Sequence, residues 1–363
     1  MICLIGNSGI KKHGLDGQTV KVRLYLKKII DEGFEVDFID LENFSRHPFS
    51  ILRRIKKAIK QCDRIVLITA ERGSKVLIPY INRINKKYRK PFIFPLVGTS
   101  VLHYSIDRLN EEQKNSFLLN YDFGSIKPKI KLVKELSKIT YILPETEQLC
   151  EVFRRFYGLS NVYPLTNFRD AEILTSKKKS ISRPIKLIFL SRVMREKGIF
   201  DLIDCVQDIN KLERTVTLDI YGQLCLDKND TAKFKNQIND NAISYHGPID
   251  SKIVVDTISK YDIFIFPTRF IGEGVPGVIV ESLISGTPVL TSDFPQARTI
   301  IQDGYDSISF NMFDKNDLKN KLLHMISDEK ILSDLSFGAL ETGKKFLYSH
   351  IRNYFLKFVC GSK

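Results

Sequence analysis

The chain has 363 residues, enough for two domains that each bury a core, and its 43% hydrophobic and 27% charged residues exclude a disordered or fibrous protein. A formal net charge of +14 favours anionic partners: nucleic acid, an acidic membrane surface or phosphorylated small molecules. No run of about 18 apolar residues occurs, which argues against a membrane-spanning helix. Six scattered cysteines with no C-x-x-C pair offer no zinc spacing and suit a reducing, cytoplasmic setting.

In chain order, short apolar runs alternate with amphipathic stretches of helix length. Residues 2–5 read as a strand entering a glycine-bearing loop, without the basic region or cleavage site of a signal peptide. Further strands are predicted at 35–40, 64–69, 92–97, 139–144 and 162–165. A second series follows at 185–191, 215–221, 243–246, 263–267, 288–292 and 307–310. Helices are expected at 17–32, 198–209, 251–260 and 316–327. This alternation predicts α/β structure, with two doubly wound Rossmann-like domains. The first would span 1–174, a polar, basic linker 175–183, and the second 184–345.

Two basic clusters stand out, at 53–60 and 83–90. In the first, Phe49, Leu52, Ile55, Ala58 and Ile59 fall at helical spacing, an apolar stripe beside a basic face. Such a helix can simply be solvated on its outer side, or it can touch anionic lipid headgroups. The last stretch, 343–359, is helical in pattern and rich in aromatics, and it needs a surface to pack against.

The chemistry concentrates in the second half. Ser191-Arg192-Val193-Met194-Arg195-Glu196-Lys197-Gly198 follows a buried strand, where ligands of open α/β sheets bind. Arg192 and Lys197 could neutralise a diphosphate there, or could be two solvated cations on an ordinary loop. The second element begins at Thr268 after another apolar strand. Its glycines 272, 274 and 277 let backbone approach a ligand, and Pro276 suits the first turn of a helix ending near Ser285. Glu273 would lie in the loop before that anion-attracting helix terminus and Glu281 more than a turn inside it, addressing different parts of an extended ligand. A capping acid and a surface acid are the plain alternatives.

The segment G-E-G-V-P-G-V-I-V-E-S-L-I-S-G-T-P-V, with a Glu, seven residues and a second Glu, resembles the donor-site signature of the family 4 glycosyltransferases of GT-B fold. The loop S-R-V-M-R-E-K-G resembles their phosphate site, and upstream D-G-Q-T at 16–19, P-E-T-E-Q-L at 144–149 and Asn167-Phe168 resemble further motifs in the family's order. The resemblance implies two domains facing across a cleft, with the C-terminal helix 346–363 packing back on the first. It also implies a retaining, metal-independent, hexosyltransferase-type glycosyltransferase that needs no cofactor. No D-x-D motif follows a strand.

By that resemblance Arg192 and Lys197 hold the diphosphate of a nucleotide diphosphate sugar, Glu281 the ribose and Glu273 the transferred sugar. The backbone of Gly274, Val275, Pro276, Gly277 and Val278 cradles sugar and phosphate. Gly14, Asp16, Gly17 and Gln18 would form an N-terminal loop facing the donor, although these glycines could be plain turn residues. His103 is a candidate contact to acceptor or sugar, and His246 lies near the expected base site with an incidental side chain. The basic clusters at 53–60 and 83–90 favour an acceptor displayed at the anionic inner face of a membrane, a glycan or lipid-linked glycan of bacterial surface polysaccharide synthesis. An epimerase-type enzyme of the same fold and a non-catalytic binder of anionic ligands are the competing readings. Nucleic acid is disfavoured, because no binding module is recognisable and tryptophan is absent.

Overall fold

The computed structural model describes residues 1–9, 17–99, 101–102, 109–121, 126–172, 183–211 and 215–362. Its contacts divide the chain into two units, Met1–Asn167 with Ile351–Lys363, and Phe168–His350. These limits differ from the expected 174 and 346 at both crossings, and most of the expected linker, 175–182, lies outside the described residues.

The first unit is a parallel sheet of β1 (Ile2–Gly6), β2 (Val36–Asp40), β3 (Arg64–Ile68), β4 (Phe92–Pro95) and β5 (Tyr141–Leu143), ordered β2-β1-β3-β4-β5. The strands read as nearly unbroken apolar runs because helices cover both faces of such sheets. The helices are α1 (Gly17–Asp31), α2 (Pro48–Gln61), α3 (Glu71–Tyr88), α4 (Glu111–Asn120), α5 (Ile130–Leu136) and α6 (Glu147–Tyr157). The expected strand at 162–165 is reduced to a bridge between Val162 and Ile142, although the Tyr163 and Leu165 amides still donate to the carbonyls of Ile142 and Pro144. The P-E-T-E-Q-L segment has local work to do. Glu145 is buried against Lys21 of α1 at 2.8 Å, and the same ammonium donates to the Leu96 carbonyl at 2.6 Å. Thr146 caps α6 by accepting from the Leu149 amide at 3.1 Å.

On α2, Ile55, Ala58 and Ile59 are buried, but Phe49 is 86% exposed. It is therefore not part of the buried stripe; it stands in the first turn, before the helix has packed. The aromatic tail does not form one helix. After a 3-10 turn at Lys344–Phe346 the chain extends at Leu347, and only then begins the helix Tyr348–Phe355, which passes into a π turn at Leu356–Cys360. Within the first unit, Phe355 packs edge-on against Tyr25, and Phe358 packs edge-on against Tyr141 and stacks on Tyr163.

The second unit holds β6 (Ile185–Leu190), β7 (Val216–Tyr221), β8 (Ile243–Gly247), β9 (Ile263–Phe266), β10 (Val289–Ser292) and β11 (Ser307–Phe310), all parallel, ordered β11-β10-β9-β6-β7-β8. Leu187 and Phe189 enter one buried cluster and Ile188 and Leu190 the other, so alternate residues of one strand serve two faces. Its helices are α7 (Ile199–Ile209), α8 (Lys228–Gln237), α9 (Val254–Ile258), α10 (Gly277–Ile284), α11 (Lys315–Ile326) and α12 (Glu329–Gly343); the tail helix is α13. No helix among the described residues is long and apolar enough to cross a membrane.

Candidate active site

The strand order of the second unit locates the site. From β6 the chain winds to β7 and β8, then returns past β6 to β9, β10 and β11, so winding reverses between β6 and β9. Loops leaving the carboxyl ends of two such strands diverge and open a crevice, the usual place for a ligand. The loop after β6 carries Arg192 and Lys197, and the loop after β9 carries Glu273. Leu187 and Ile188 pair with Ile263 and Phe264, which sets the two loops side by side.

The first loop is held from both sides. Val193 donates to Gln223 O at 2.8 Å and accepts from Cys225 N at 2.9 Å, which ties it to the loop after β7. Gly222, at φ 136°, is required there, because a Cβ would stand 1.7 Å from Ser191 O. On the other side Arg269 N donates to Glu196 O at 2.8 Å. Gly198, at φ 72°, approaches β9 so closely that a Cβ would lie 1.9 Å from Pro267 O.

Between these loops Lys197 donates to Oε1 of Glu273, and both side chains are about one-tenth exposed. Thr268 Oγ1 donates to the same oxygen at 2.8 Å. The Lys197 ammonium also lies 5.3 Å from the Phe266 ring centroid and 5.7 Å from that of Phe270. No other partner meets Glu273 among the described residues. Arg192 is exposed and has no ion-pair partner among the described residues. The neighbouring Arg195 differs, its guanidinium engaging both carboxylate oxygens of Asp230 on α8.

Pro276 precedes α10 as its cap and does not sit in the first turn; Gly277 is the first helical residue. Val275 is buried in the apolar cluster and Val278 packs against it. Glu281 is buried and pairs with Arg169, whose Nε donates to Oε1 at 2.6 Å. A Cβ on Gly277 would come within 1.8 Å of Arg169 Nη2, so this glycine makes room for a guanidinium.

On the far side of β6, His246 Nε2 lies 2.7 Å from Asp219 Oδ1 and its ring stacks on Tyr221 at 4.7 Å. Tyr261 donates to the other oxygen of Asp219 at 2.8 Å. Burial raises its phenol well above the ordinary range, with help from the hydrogen bonds to Tyr221 and Asp219. The His246 side chain, expected to be incidental, is thus held in a polar and aromatic cluster.

In the first unit Gly17 opens α1 with nothing near its missing Cβ, and Gln18 follows in the first turn. Gly14, Asp16 and His103 lie outside the described residues. Among the described residues no three His, Cys, Asp or Glu side chains cluster in a way that could hold a metal ion.

Sequence reasoning missed Thr268 and Arg169. Thr268 had a signal, as the first hydroxyl beyond a buried strand. Arg169 had none, since its partner is 112 residues away.

Residues 184–328 match the family model described as glycosyl transferases group 1. An uncharacterized glycosyltransferase of Methanocaldococcus jannaschii is 27% identical over 162 residues, 44% of this chain and 43% of that one; the match thus spans less than half of that relative. The N,N'-diacetylbacillosaminyl-diphospho-undecaprenol alpha-1,3-N-acetylgalactosaminyltransferase of Campylobacter jejuni is 20% identical over 92% of this chain and 87% of its own. Among solved structures, Anabaena HepE in complex with UDP and glucose superposes with a TM-score of 0.73 at 14% identity, covering 99% of each chain.

Proposed function

We propose that this chain, whose residues 184–328 match the model of the group 1 glycosyl transferases, moves a hexosyl group from a nucleotide diphosphate sugar to a glycan or lipid-linked glycan, with retention of configuration and without a metal. The observation that carries the reading is the meeting of Lys197 and Glu273 at the β6/β9 reversal, with Arg192, which has no ion-pair partner among the described residues, on the same loop. Leaving diphosphate develops charge that fixed cations stabilise best where water is scarce. Lys197, buried and aimed by Glu273, and the freer Arg192 would supply that charge. Glu273 would offer Oε2 to a sugar hydroxyl, so one ion pair would register sugar against diphosphate. Glu281 would take the ribose.

The bond from the anomeric carbon to the phosphate oxygen breaks as the acceptor oxygen bonds to the same face. The acceptor's proton passes to the departing phosphate. A trapped glycosyl-enzyme adduct would overturn this route in favour of a covalent one.

The lipid-linked acceptor named for the C. jejuni relative supports an acceptor of that class. Bacterial surface polysaccharide synthesis is the setting this reading proposes. The first unit's surface supports an anionic bilayer as the place of encounter. Arg53, Arg54, Lys56, Lys57 and Lys60 of α2 are exposed, as are Arg83, Lys86 and Lys87 of α3. Phe49 at 86% exposure adds an apolar tip.

Incubation with a panel of nucleotide sugars, following nucleoside diphosphate release and thermal shift, tests the central claim. Release or stabilisation by at least one donor, lost in K197M and in E273Q, is expected. No response to any donor, together with tight oligonucleotide binding, would refute it.

A further inference from the structure

We propose that Arg169 is a positioning residue for the donor's ribose, acting through Glu281; the inference rests on the reading of Glu281 as the ribose-binding acid. Arg169 is the second residue of the second unit and is anchored by its backbone. Its amide donates to Phe346 O at 2.8 Å, and its carbonyl accepts from Tyr348 N at 2.9 Å. That anchorage aims the side chain at α10. Nε donates to Glu281 Oε1 at 2.6 Å, and Nη1 donates to Phe168 O at 2.9 Å. The pair is largely out of solvent, with side-chain exposures of 16% and 7%.

Two features set this contact apart from a chance ion pair. A glycine at 277 is what admits the guanidinium, which would otherwise meet a Cβ at 1.8 Å. The guanidinium also stands beside the first residue of α10, the end of a helix that disfavours cations, so helix stability alone does not select it there. Its effect is on the carboxylate. With Oε1 occupied and the rotamer fixed, Oε2 is left pointing in one direction, free of other partners among the described residues. A ribose diol needs an acceptor whose direction is set before it arrives.

The test compares a nucleoside diphosphate with its 2',3'-dideoxy analogue by calorimetric titration. UDP, GDP and ADP are titrated first into the unaltered chain to choose the base. The unaltered chain should prefer the ribose form by about tenfold or more, the worth of hydrogen bonds to a charged group. In R169M that preference should fall to within about twofold while affinity for the dideoxy form stays put, and R169K should recover part of it. A merely structural role would weaken both ligands together. A preference that survives R169M overturns the inference alone, as does tighter ribonucleotide binding by R169M, which would make the pair a barrier. No ribose preference in the unaltered chain, or no binding of any of the three, overturns the reading of the site and the inference with it.

Discussion

Gly198 offers the sharpest test of how the site is assembled. It follows Lys197, adopts φ 72°, and brings the loop after β6 against the Pro267 carbonyl, where a Cβ would stand at 1.9 Å. Real Cβ atoms stay at or beyond about 3 Å, so G198A must open the two loops by about 1 Å. Holding alanine at positive φ costs about 1–2 kcal/mol, and displacing packed backbone adds about 1–3 kcal/mol. The total is about 2–5 kcal/mol. Gly304 of the same unit has φ 76° but nothing within 4 Å of its missing Cβ, so G304A carries the dihedral cost alone. Urea unfolding of both variants should therefore separate them by about 1–3 kcal/mol, or a midpoint difference of about 0.5–1 M. Donor KM should rise in G198A and not in G304A, because only the former moves Lys197 relative to Glu273. Unfolding energies within about 0.5 kcal/mol of each other would refute the close approach as a constraint.

Three further outcomes are expected. K197M leaves the Glu273 carboxylate buried with Thr268 alone and should lose about 3–5 kcal/mol of stability; K197M/E273L should recover most of it by urea unfolding, yet release no nucleoside diphosphate from the donor. Charge reversal at Arg53, Lys56, Lys57 and Lys60 should weaken cosedimentation with phosphatidylserine vesicles by about 1 kcal/mol per residue, and unchanged binding would remove the membrane reading. Burial raises the Asp306 carboxyl above its usual range, although Thr342 and the Gln302 amide donate to it. The folded chain then holds this proton longer than the unfolded one, so this residue's contribution to stability falls as pH rises from the ordinary aspartate pKa through the raised one. The stability of the unaltered chain relative to D306N should fall across that window, and a difference that rises there would contradict the assignment.

Much of the architecture was legible in one dimension. Buried parallel strands must be apolar on both faces, so eleven of the twelve predicted strands were visible as short runs, and a helix-length segment separates most of them. The exception, 162–165, shows the limit of that signal: the segment still hydrogen-bonds to the Ile142 and Pro144 carbonyls but forms a single bridge, and an apolar run does not say how far a pairing extends. Phe49 is the converse case: helical spacing placed it on a stripe that ends before the helix does.

The site divides along the same line. Lys197 and Glu273 each lie beyond the end of a buried strand, a local pattern open to plain readings, and it was the resemblance to a donor-site signature that singled them out. That they touch was decided by strand order, which carries β9 back beside β6 after β7 and β8 have gone the other way. Local sequence fixes periodicity and turn chemistry but not the side of a sheet on which a returning strand lands. For the same reason Glu281 could be singled out while Arg169 could not. Their meeting, 112 residues apart, depends on a backbone anchored to Phe346 and Tyr348 and on the space left at Gly277. Only the packed chain contains those facts.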